Sequence, residues 1–399
     1  MSRPTLLLPH GSGASTDGTR RHNLSTILTL VHHEGGLPRS QLTARTGLNR
    51  STVAALVAEL VSLQLVFESE PDPTKQAGRP SPIVRPDART VAIAINPEVD
   101  AVTIGVVGLG GEVLRRVRHE TPGAPTAAEV VKISASIIAS FREEFDSSGS
   151  IVGIGVAVPG LVRHDDGVVS LAPHLQWTDE PIATMLEQAT GLPVSAGNDA
   201  RLGASAEHAY GAGRGATDLI YLNGGASGIG GGIISGGNLL TGRAGYAGEF
   251  GHIRIAPSDS AVEDPESGSL ESEVNRAALL RVVGLATADA DVLERALLAS
   301  TDPAVLALVH RQLDALSISL RNAVNVLNPE VIVLGGFLAS ILAVDPEYLR
   351  DRVEKQALAP SFEGVSIVGA QLGSNLLMIG AAEFAFEAVL ADPAARRAP

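Results

Sequence analysis

The sequence predicts an α/β protein in which a winged helix-turn-helix unit precedes a larger body. Two short helical patterns hinged at Gly47 are the first observation. The second is a change of period near Thr90, after which apolar β-branched runs alternate with helical patterns. The predicted divisions are a disordered leader over residues 1–19, the head over 20–86 and the body over 88–390.

The second helical pattern of the head is typical of a helix that lies in a DNA groove. Its apolar residues recur at i, i+3, i+4 and i+7, so one side of the helix faces a core. These residues are Val53, Leu56, Val57 and Leu60. A third helix with a stripe of its own packs behind the pair, through Leu24, Ile27, Leu28 and Val31. A helical hairpin that contacts no DNA is the alternative, and the segment that follows favours the DNA interpretation.

That segment, residues 65–84, reads as a hairpin wing with strands at Val66 and Ile83. Arg79 lies between glycine and proline, so it can extend into a narrow minor groove. A proline-rich linker is the alternative interpretation, and both descriptions can hold together.

Helix caps and base contacts complete the prediction for the head. Ser40 and Asn49 can cap the second and third helices through side-chain oxygens, and Gly47 permits the turn between them. We expect the start of the third helix to contact bases and Arg39 or Ser40 to contact phosphate. The full set of predicted DNA-binding residues is Arg39, Ser40, Asn49, Arg50, Ser51, Thr52 and Arg79.

Charge and composition confine DNA binding to the head. Residues 1–90 carry a net charge of +3, whereas residues 91–399 carry −17, so the body repels phosphate. The chain has no cysteine, which excludes disulfides and thiolate metal sites. We find no apolar run near the roughly 18 residues of a membrane span and no signal peptide. The sequence therefore predicts a cytoplasmic, nucleoid-associated protein without a membrane partner.

The body begins with two apolar strands separated by a short hairpin at residues 96–100. Helical patterns then alternate with further strands. The predicted elements are strands at 91–95, 101–107 and 151–158, and helices at 127–145, 182–190, 304–327 and 376–390. The last two helices are candidates for packing between lobes or between subunits.

Six motifs of the body occur together in one order. They are GIGVAVPGLV from Gly153, LAPHLQW at 171–177, Asn198 with Asp199, GGASGIGGGIISGG from Gly224, AGEFGH at 247–252 and NPEVIVLGG from Asn328. Over about 300 residues this set resembles the ROK family of repressors and sugar kinases, and the head resembles its repressor branch. The resemblance implies a two-lobed, actin-like fold. The first lobe would span about 88–195 plus the C-terminal helix, and the second about 196–372.

The resemblance also implies a sugar pocket. Asn198 and Asp199 follow a strand, where open α/β sheets bind ligands, and a carboxylate beside an amide suits vicinal hydroxyls. In the family's kinases the matching aspartate is the catalytic base. The implied ligand-binding residues are Asn198, Asp199, Glu249, His252, Glu271 and His174, the last standing where the family pattern has asparagine. A surface carboxylate or a buried histidine is the plainer interpretation of each one alone.

The hairpin at residues 96–100 departs from the family's kinases, which place a glycine-rich phosphate-binding turn there. It has no glycine, Pro97 lacks an amide donor, and Glu98 and Asp100 repel phosphate. We therefore expect no kinase activity, no catalytic residue and no cofactor. The glycine runs at 224–232 and 335–336 match nucleotide-facing turns of the kinases or serve as tight packing turns.

A second departure concerns metal. Many family members bind zinc through a cysteine cluster after the glycine-histidine pair, and this chain has none. We expect no metal site and a more mobile loop beside His252. The acidic residues of that loop are interpreted as a solvated surface rather than a cation site, and they are Asp259, Glu263, Asp264 and Glu266.

The sequence thus predicts a transcriptional regulator, a homodimer or tetramer, that binds a double-stranded DNA operator and a sugar or sugar derivative. Two alternatives remain open. One is a sugar kinase with an accessory DNA-binding head, and the other is a regulator that binds DNA without a ligand.

Overall fold

The computed structural model describes residues 16–70, 81–145, 149–256 and 267–395. Predictions for most of the leader, for Arg79 and for the acidic residues 259–266 lie outside these ranges.

The chain forms two compact units. The head consists of the residues up to Thr90, residues 108–110 and the chain from Phe386 onward. The body consists of residues 91–107 and 111–385.

Three helices form the core of the head, as the apolar periodicity predicts. They are α1 (Thr16–Glu34), α2 (Arg39–Thr46) and α3 (Arg50–Ser62). Both predicted stripes are buried to within a few per cent, since Leu24 is 0% exposed and Leu56 is 5% exposed. Burying these side chains drives the three helices together.

The turn between α2 and α3 depends on Gly47 and Asn49. Gly47 has φ of 70°, and its N–H donates to the carbonyl of Thr43. The Asn49 side chain accepts from the N–H of Thr52 at 2.8 Å, so the predicted cap of α3 is confirmed. The predicted cap at Ser40 is wrong, because α2 already begins at Arg39, with Pro38 in the cap position, and has no side-chain cap.

A three-stranded sheet completes the N-terminal part of the head. Its strands are β1 (Leu37–Pro38), β2 (Val66–Ser69) and β3 (Ile83–Pro86), in the order β1-β3-β2. β3 is antiparallel to both neighbours, and its register with β2 pairs Phe67 with Arg85. The two strands predicted for the wing are therefore paired with each other.

Later parts of the chain also pack into the head. The N–H of Gly110 donates to Nδ1 of His32, a buried α1 side chain, at 2.9 Å. The ring of Phe386 meets the His32 ring edge-on at 5.3 Å between centroids. Arg21 pairs with Asp392 at 2.7 Å. Helix α1 is therefore fixed by contacts from two distant segments of the sequence.

The body is built on two five-stranded sheets with helices. Its first part contains β4 (Thr90–Pro97), β5 (Ala101–Gly108), β6 (Val113–Glu120), α4 (Ala127–Phe145), β7 (Ser150–Val158), β8 (Leu161–Val162), β9 (Val169–Ala172), β10 (Trp177–Glu180), α5 (Ile182–Thr190) and β11 (Val194–Asn198). The first sheet has the order β11-β7-β4-β5-β6, with β11 parallel to β7 and β6 antiparallel to β5.

The second part of the body carries the other sheet, of order β14-β13-β12-β15-β16. Its elements are α6 (Asp199–Tyr210), β12 (Leu219–Gly224), β13 (Ile229–Ser235), β14 (Asn238–Leu239), α7 (Leu270–Glu273), α8 (Arg276–Val282), α9 (Ala290–Ala299), α10 (Pro303–Leu327), β15 (Val331–Gly336), α11 (Phe337–Val344), α12 (Pro346–Gln356), α13 (Ala359–Phe362), β16 (Ser366–Gly369) and α14 (Leu376–Ala391). Helix α10 buries a long apolar stripe in the core of this part.

Helix α6 lies directly on the glycine-rich strand β13. A Cβ atom on Gly230 would stand 2.7 Å from Cβ of Ala200, and one on Gly232 would stand 2.5 Å from Cβ of Ala204. Both distances are too short for real side chains. This part of the glycine run is therefore a strand that permits close helix packing, and it is not the tight turn that the sequence predicts there.

Helix α14 packs closely against the first sheet. A Cβ atom on Gly155 of β7 would stand 1.7 Å from the carbonyl oxygen of Ala381. Residues 373–391 reach the length and mean hydropathy (1.4) of a membrane span, contrary to the sequence-based expectation. Because 56% of that stretch is buried in the protein, its apolar character is that of a core helix.

The carboxylate of Glu207 fixes the C-terminal end of α6. This side chain is 0% exposed. One oxygen accepts the N–H groups of Gln371 and Leu372, each at 2.9 Å, and the other accepts that of Ala212 at 2.8 Å. Three backbone donors from two segments are thus satisfied by one side chain.

We predict that Glu207→Ala lowers the free energy of unfolding by about 3 kcal/mol or more, because it leaves these buried donors without an acceptor. Urea denaturation followed by circular dichroism measures the change. Glu187→Ala is the matched control, since Glu187 accepts one N–H, that of Val194, at an exposed position. Equal losses in the two variants would contradict the prediction.

Candidate ligand-binding and DNA-binding sites

Asn198 and Asp199 stand where β11 ends and α6 begins. Oδ1 of Asn198 accepts the N–H of Arg201 at 3.0 Å, which caps the helix. Its Nδ2 donates to the carbonyl of Gly160 at 3.1 Å. The amide therefore joins two segments and retains one N–H and one lone pair for a ligand. Oδ1 of Asp199 accepts the N–H of Ala200 at 2.7 Å.

Glu249 precedes a short 3₁₀ turn, Phe250–His252, and His252 is the last residue of that turn. Phe250 is buried and anchors the turn. Gly248 comes so close to β13 that a Cβ atom there would stand 2.5 Å from the carbonyl oxygen of Gly231. This backbone approach places Glu249 and His252 beside the glycine-rich strand.

Glu271 lies in the short helix α7, which Ser269 caps by accepting the N–H of Ser272. Oε2 of Glu271 accepts the N–H of Ile229 at 2.8 Å. A Cβ atom on Gly228 would stand only 2.1 Å from the same oxygen. The carboxylate therefore packs against the turn before β13 and leaves its other oxygen available.

The structure brings the six predicted ligand-binding residues to one cavity of about 560 Å³ in the body. His174 reaches it from an exposed 3₁₀ turn, Pro173–Leu175. The cavity also has polar lining residues that sequence reasoning missed, which are Asn223, Ser227, Ser269 and Ser272. Asn223 was detectable, since it stands near the end of β12 much as Asn198 ends β11.

Burial and like charge raise the pKa of two carboxyl groups in this cavity. The pKa of Asp199 is raised to about 6, chiefly by desolvation, against the hydrogen bond from Ala200 and with a contribution from the charge of Glu249. Burial also raises the pKa of Glu249. The positive charges of His252 and Arg201 oppose that shift, and the negative charge of Glu271 adds to it.

The hairpin at residues 96–100 forms a charge network with β6. Arg118 contacts Asp100 at 2.8 Å and Glu98 at 3.4 Å. The hydroxyl of Thr103 also donates to Glu98. The two carboxylates therefore serve an internal ion-pair network, in a hairpin that has no glycine.

Zinc does not fit the described part of the loop after His252. Residues 253–256 and 267–270 contain no cysteine, histidine, aspartate or glutamate. Backbone hydrogen bonds close the base of the loop instead: Ile255 and Ala256 donate to Gly268 at 2.8 and 3.1 Å, and Leu270 donates to Ile253 at 3.0 Å. These backbone hydrogen bonds therefore hold the base of the loop, and the predicted mobility concerns residues outside the described ranges.

The start of α3 presents Arg50 and Ser51 to solvent. Arg50 makes no hydrogen bond or ion pair with the residues that the structure describes. Ser51 donates to Oδ1 of Asn49 at 2.7 Å, and Thr52 is half-buried. The predicted base-contacting residues therefore share one end of one helix.

The other predicted DNA contacts differ in their surroundings. Arg39 pairs with Glu68 of β2 at 2.5 Å, so this guanidinium links α2 to the sheet. The N–H of Ser40 donates to Oγ of Ser81 at 3.3 Å. Arg79 lies outside the described residues.

We predict that Asp199→Asn stabilises the protein above pH 6. The pKa of Asp199 is raised from 3.8 in the unfolded chain to about 6 in the folded protein, so ionisation favours unfolding. The stabilising effect of the neutral acid is complete below pH 4 and is lost as the pH rises through 6. Chemical denaturation between pH 4.5 and 7.5 should show the asparagine variant gaining about 2 kcal/mol over the wild type. A difference that does not change with pH would contradict this assignment.

Comparison with known proteins identifies the family of this chain. Residues 92–388 match the ROK family. The xylose repressor of Caldicellulosiruptor bescii is 26% identical over 388 residues, covering 93% of this chain and 97% of the relative. A glucokinase of Streptomyces coelicolor is 29% identical over 308 residues, covering 72% of this chain and 94% of the enzyme. A solved ROK family transcriptional regulator, a homologue of the Escherichia coli Mlc protein, superposes with a TM-score of 0.73 at 23% identity and covers 94% of this chain and 97% of its own. These matches confirm the resemblance drawn from the motifs, and the chain belongs to the ROK family.

Proposed function

We propose that this protein is a sugar-responsive transcriptional repressor in which a winged helix-turn-helix head binds operator DNA and the cavity of the body binds the effector. The observation that carries this proposal is the convergence of six polar side chains on one cavity in a chain that also presents Arg50 at the exposed start of a capped helix. A repressor works on chromosomal DNA, so the protein acts in the cytoplasm.

The arrangement of the head supports DNA binding. Three helices are followed by an antiparallel hairpin, the order of elements in winged helix-turn-helix proteins. Arg20, Arg45 and Arg89 each pair with a carboxylate, so much of the positive charge is neutralised internally. Arg50 remains available to a base. We infer that the protein binds DNA as a dimer on paired half-sites, because two heads compensate for the small number of contacts that each one makes.

The cavity suits a neutral, hydroxyl-rich ligand. Asp199, Glu249 and Glu271 supply carboxylate oxygens as acceptors, and Asn198 supplies one further donor and one acceptor. Leu161, Leu171 and Pro173 provide apolar contacts for the faces of a sugar ring. The named sugar of the repressor relatives makes D-xylose the first effector to test.

Ligand binding affects the operator only if the ligand prefers one arrangement of the protein. Helix α6 carries Asp199 at its first position and packs along β13, while Asn198 joins its start to Gly160. Movement of one lobe against the other over a bound sugar is the change that this geometry favours.

We predict that calorimetry across xylose, glucose, N-acetylglucosamine and their phosphates detects a ligand, and that this ligand changes operator affinity. The operator is obtained by selection from random double-stranded DNA. Glu249→Gln should weaken sugar binding at least about tenfold, since it replaces a charged acceptor. The exposed Glu112→Gln serves as the control. Sugar binding without any effect on operator affinity would refute the regulatory role.

If no sugar changes operator affinity, the alternative is a regulator that binds DNA without a ligand. Alanine substitutions at Asn198, Asp199 and Glu271 that leave operator binding and every sugar response unchanged would support it.

We predict that Arg50→Ala weakens operator binding by about 1 to 3 kcal/mol and relaxes the preference at one base pair, as expected for a guanidinium that binds guanine in a bidentate manner. Competition gel-shift assays with single-base operator variants provide the measurement. Arg45→Ala is the control, because Arg45 pairs with Glu34 on the head surface. An equal loss on every sequence would instead identify Arg50 as a phosphate contact.

A sugar kinase is the second candidate function. The glucokinase relatives and the raised pKa of Asp199, near that of a general base, favour it. The hairpin at residues 96–100 opposes it, because it offers carboxylates in place of a glycine-rich phosphate-binding turn.

We predict no ADP release above background when the protein is given ATP, magnesium and the sugars of the same panel. A coupled assay measures the release. Turnover that Asp199→Asn abolishes would establish the kinase and overturn this prediction.

A further inference from the structure

Arg201 is a buried cation next to the candidate sugar site. It follows Asp199 by two residues on α6, and only 5% of its surface is exposed. Its Nη1 donates to the carbonyl oxygen of Gly245 at 2.6 Å. Arg201 does not line the cavity, so it does not contact a ligand held there.

The segment that Arg201 holds leads directly to Glu249. Gly245 has φ of +94°, and a Cβ atom there would stand 3.2 Å from Nη1 of Arg201 and 2.8 Å from the carbonyl oxygen of Val162. The N–H of His164 donates to the adjacent carbonyl of Ala244 at 3.2 Å. This segment is therefore compressed between α6 and the residues that follow β8, and glycine makes room for the guanidinium.

Charge gives Arg201 a second effect on Glu249. The charged groups that act on Glu249 are Asp199 and Arg201 from α6, His252 from the 3₁₀ turn and Glu271 from α7. Together with Glu249 itself these are five groups, and three of them are carboxyls. Burial and Glu271 raise the pKa of Glu249, whereas His252 and Arg201 lower it. Arginine is the side chain that keeps its charge in a buried position.

We propose that Arg201 is a positioning residue for the sugar site: it fixes the segment that carries Glu249 and supplies a buried positive charge that acts on that carboxyl group. An ionised Glu249 accepts sugar hydroxyls, whereas a protonated one offers a donor in place of one acceptor. The part of this inference that concerns sugar rests on the proposed function.

The first experiment needs no ligand. Unfolding is measured between pH 5 and 8 for the wild type, R201M, R201K, E249Q and the double variant R201M/E249Q. Loss of the cation raises the pKa of Glu249, so its ionisation then opposes folding more strongly as the pH rises. The folding equilibrium constant of R201M relative to the wild type should fall about tenfold more at pH 8 than at pH 5. R201K should restore most of this difference.

In the E249Q background the effect of R201M should no longer depend on pH. A pH-independent effect of R201M in both backgrounds would overturn the electrostatic role. If R201M does not fold, the double variant decides: folding of R201M/E249Q supports the proposal, and failure of both variants to fold reduces Arg201 to a structural residue.

The second experiment uses D-xylose and D-glucose as probes in calorimetry at pH 6.5 and 8.5. R201M should bind the probe more weakly than the wild type, and this loss should be at least about threefold larger at pH 6.5 than at pH 8.5, because loss of the cation raises the pKa of Glu249. An equal loss at both pH values would overturn the proposal. A wild-type protein that binds no sugar would contradict the proposed function instead, while the unfolding experiment would still decide the role of Arg201.

Discussion

The close approach of helix α6 to strand β13 is the constraint on which the body depends. Gly230 and Gly232 leave no room for side chains, and Ala200 and Ala204 fill the contact. A packed interior of this density does not deform gradually, so the helix has one position on the strand. Because α6 begins at Asp199 and ends near Glu207, that position sets both the candidate ligand site and the network of backbone donors behind it.

The same glycines give the body part of its packed interior. In this chain the glycine-rich strand β13 supports a helix, and Glu271 closes over the turn before it through the N–H of Ile229. The carboxylates of the first hairpin are occupied by Arg118. The cavity of the body is rich in hydrogen-bond acceptors. Two of its carboxyl groups, Asp199 and Glu249, have pKa values raised above their ordinary values.

The sequence predicted best the helices whose ends are marked by local residues, such as a side chain that caps the first turn. Helices α4 and α5 have the predicted bounds, and Asn49 caps α3 because its side chain can satisfy the first free N–H groups. The cap at Ser40 was wrong, since a proline before α2 starts the helix without a side-chain acceptor. The motifs of the family identified six residues that line one cavity.

Other features could not be predicted because they depend on tertiary contacts. The strands β8, β9 and β10 are too short for a periodic signal, and their pairing forms a small third sheet in the body. Asn223 and the serines of the cavity acquire their place only when β12 and α7 come together. Arg201 likewise resembles a surface residue of a polar helix until the segment at Gly245 covers it.

The contacts of His32 with Gly110 and Phe386, and of Arg21 with Asp392, mean that the head is not a contiguous stretch of the chain. The first ninety residues alone would lack the groups that cover His32 and neutralise one face of α1. A peptide fused after Ala395 would be attached to the same unit as helix α3, although more than three hundred residues separate the two in sequence. Removal of the chain from Phe386 onward would therefore take away part of the head.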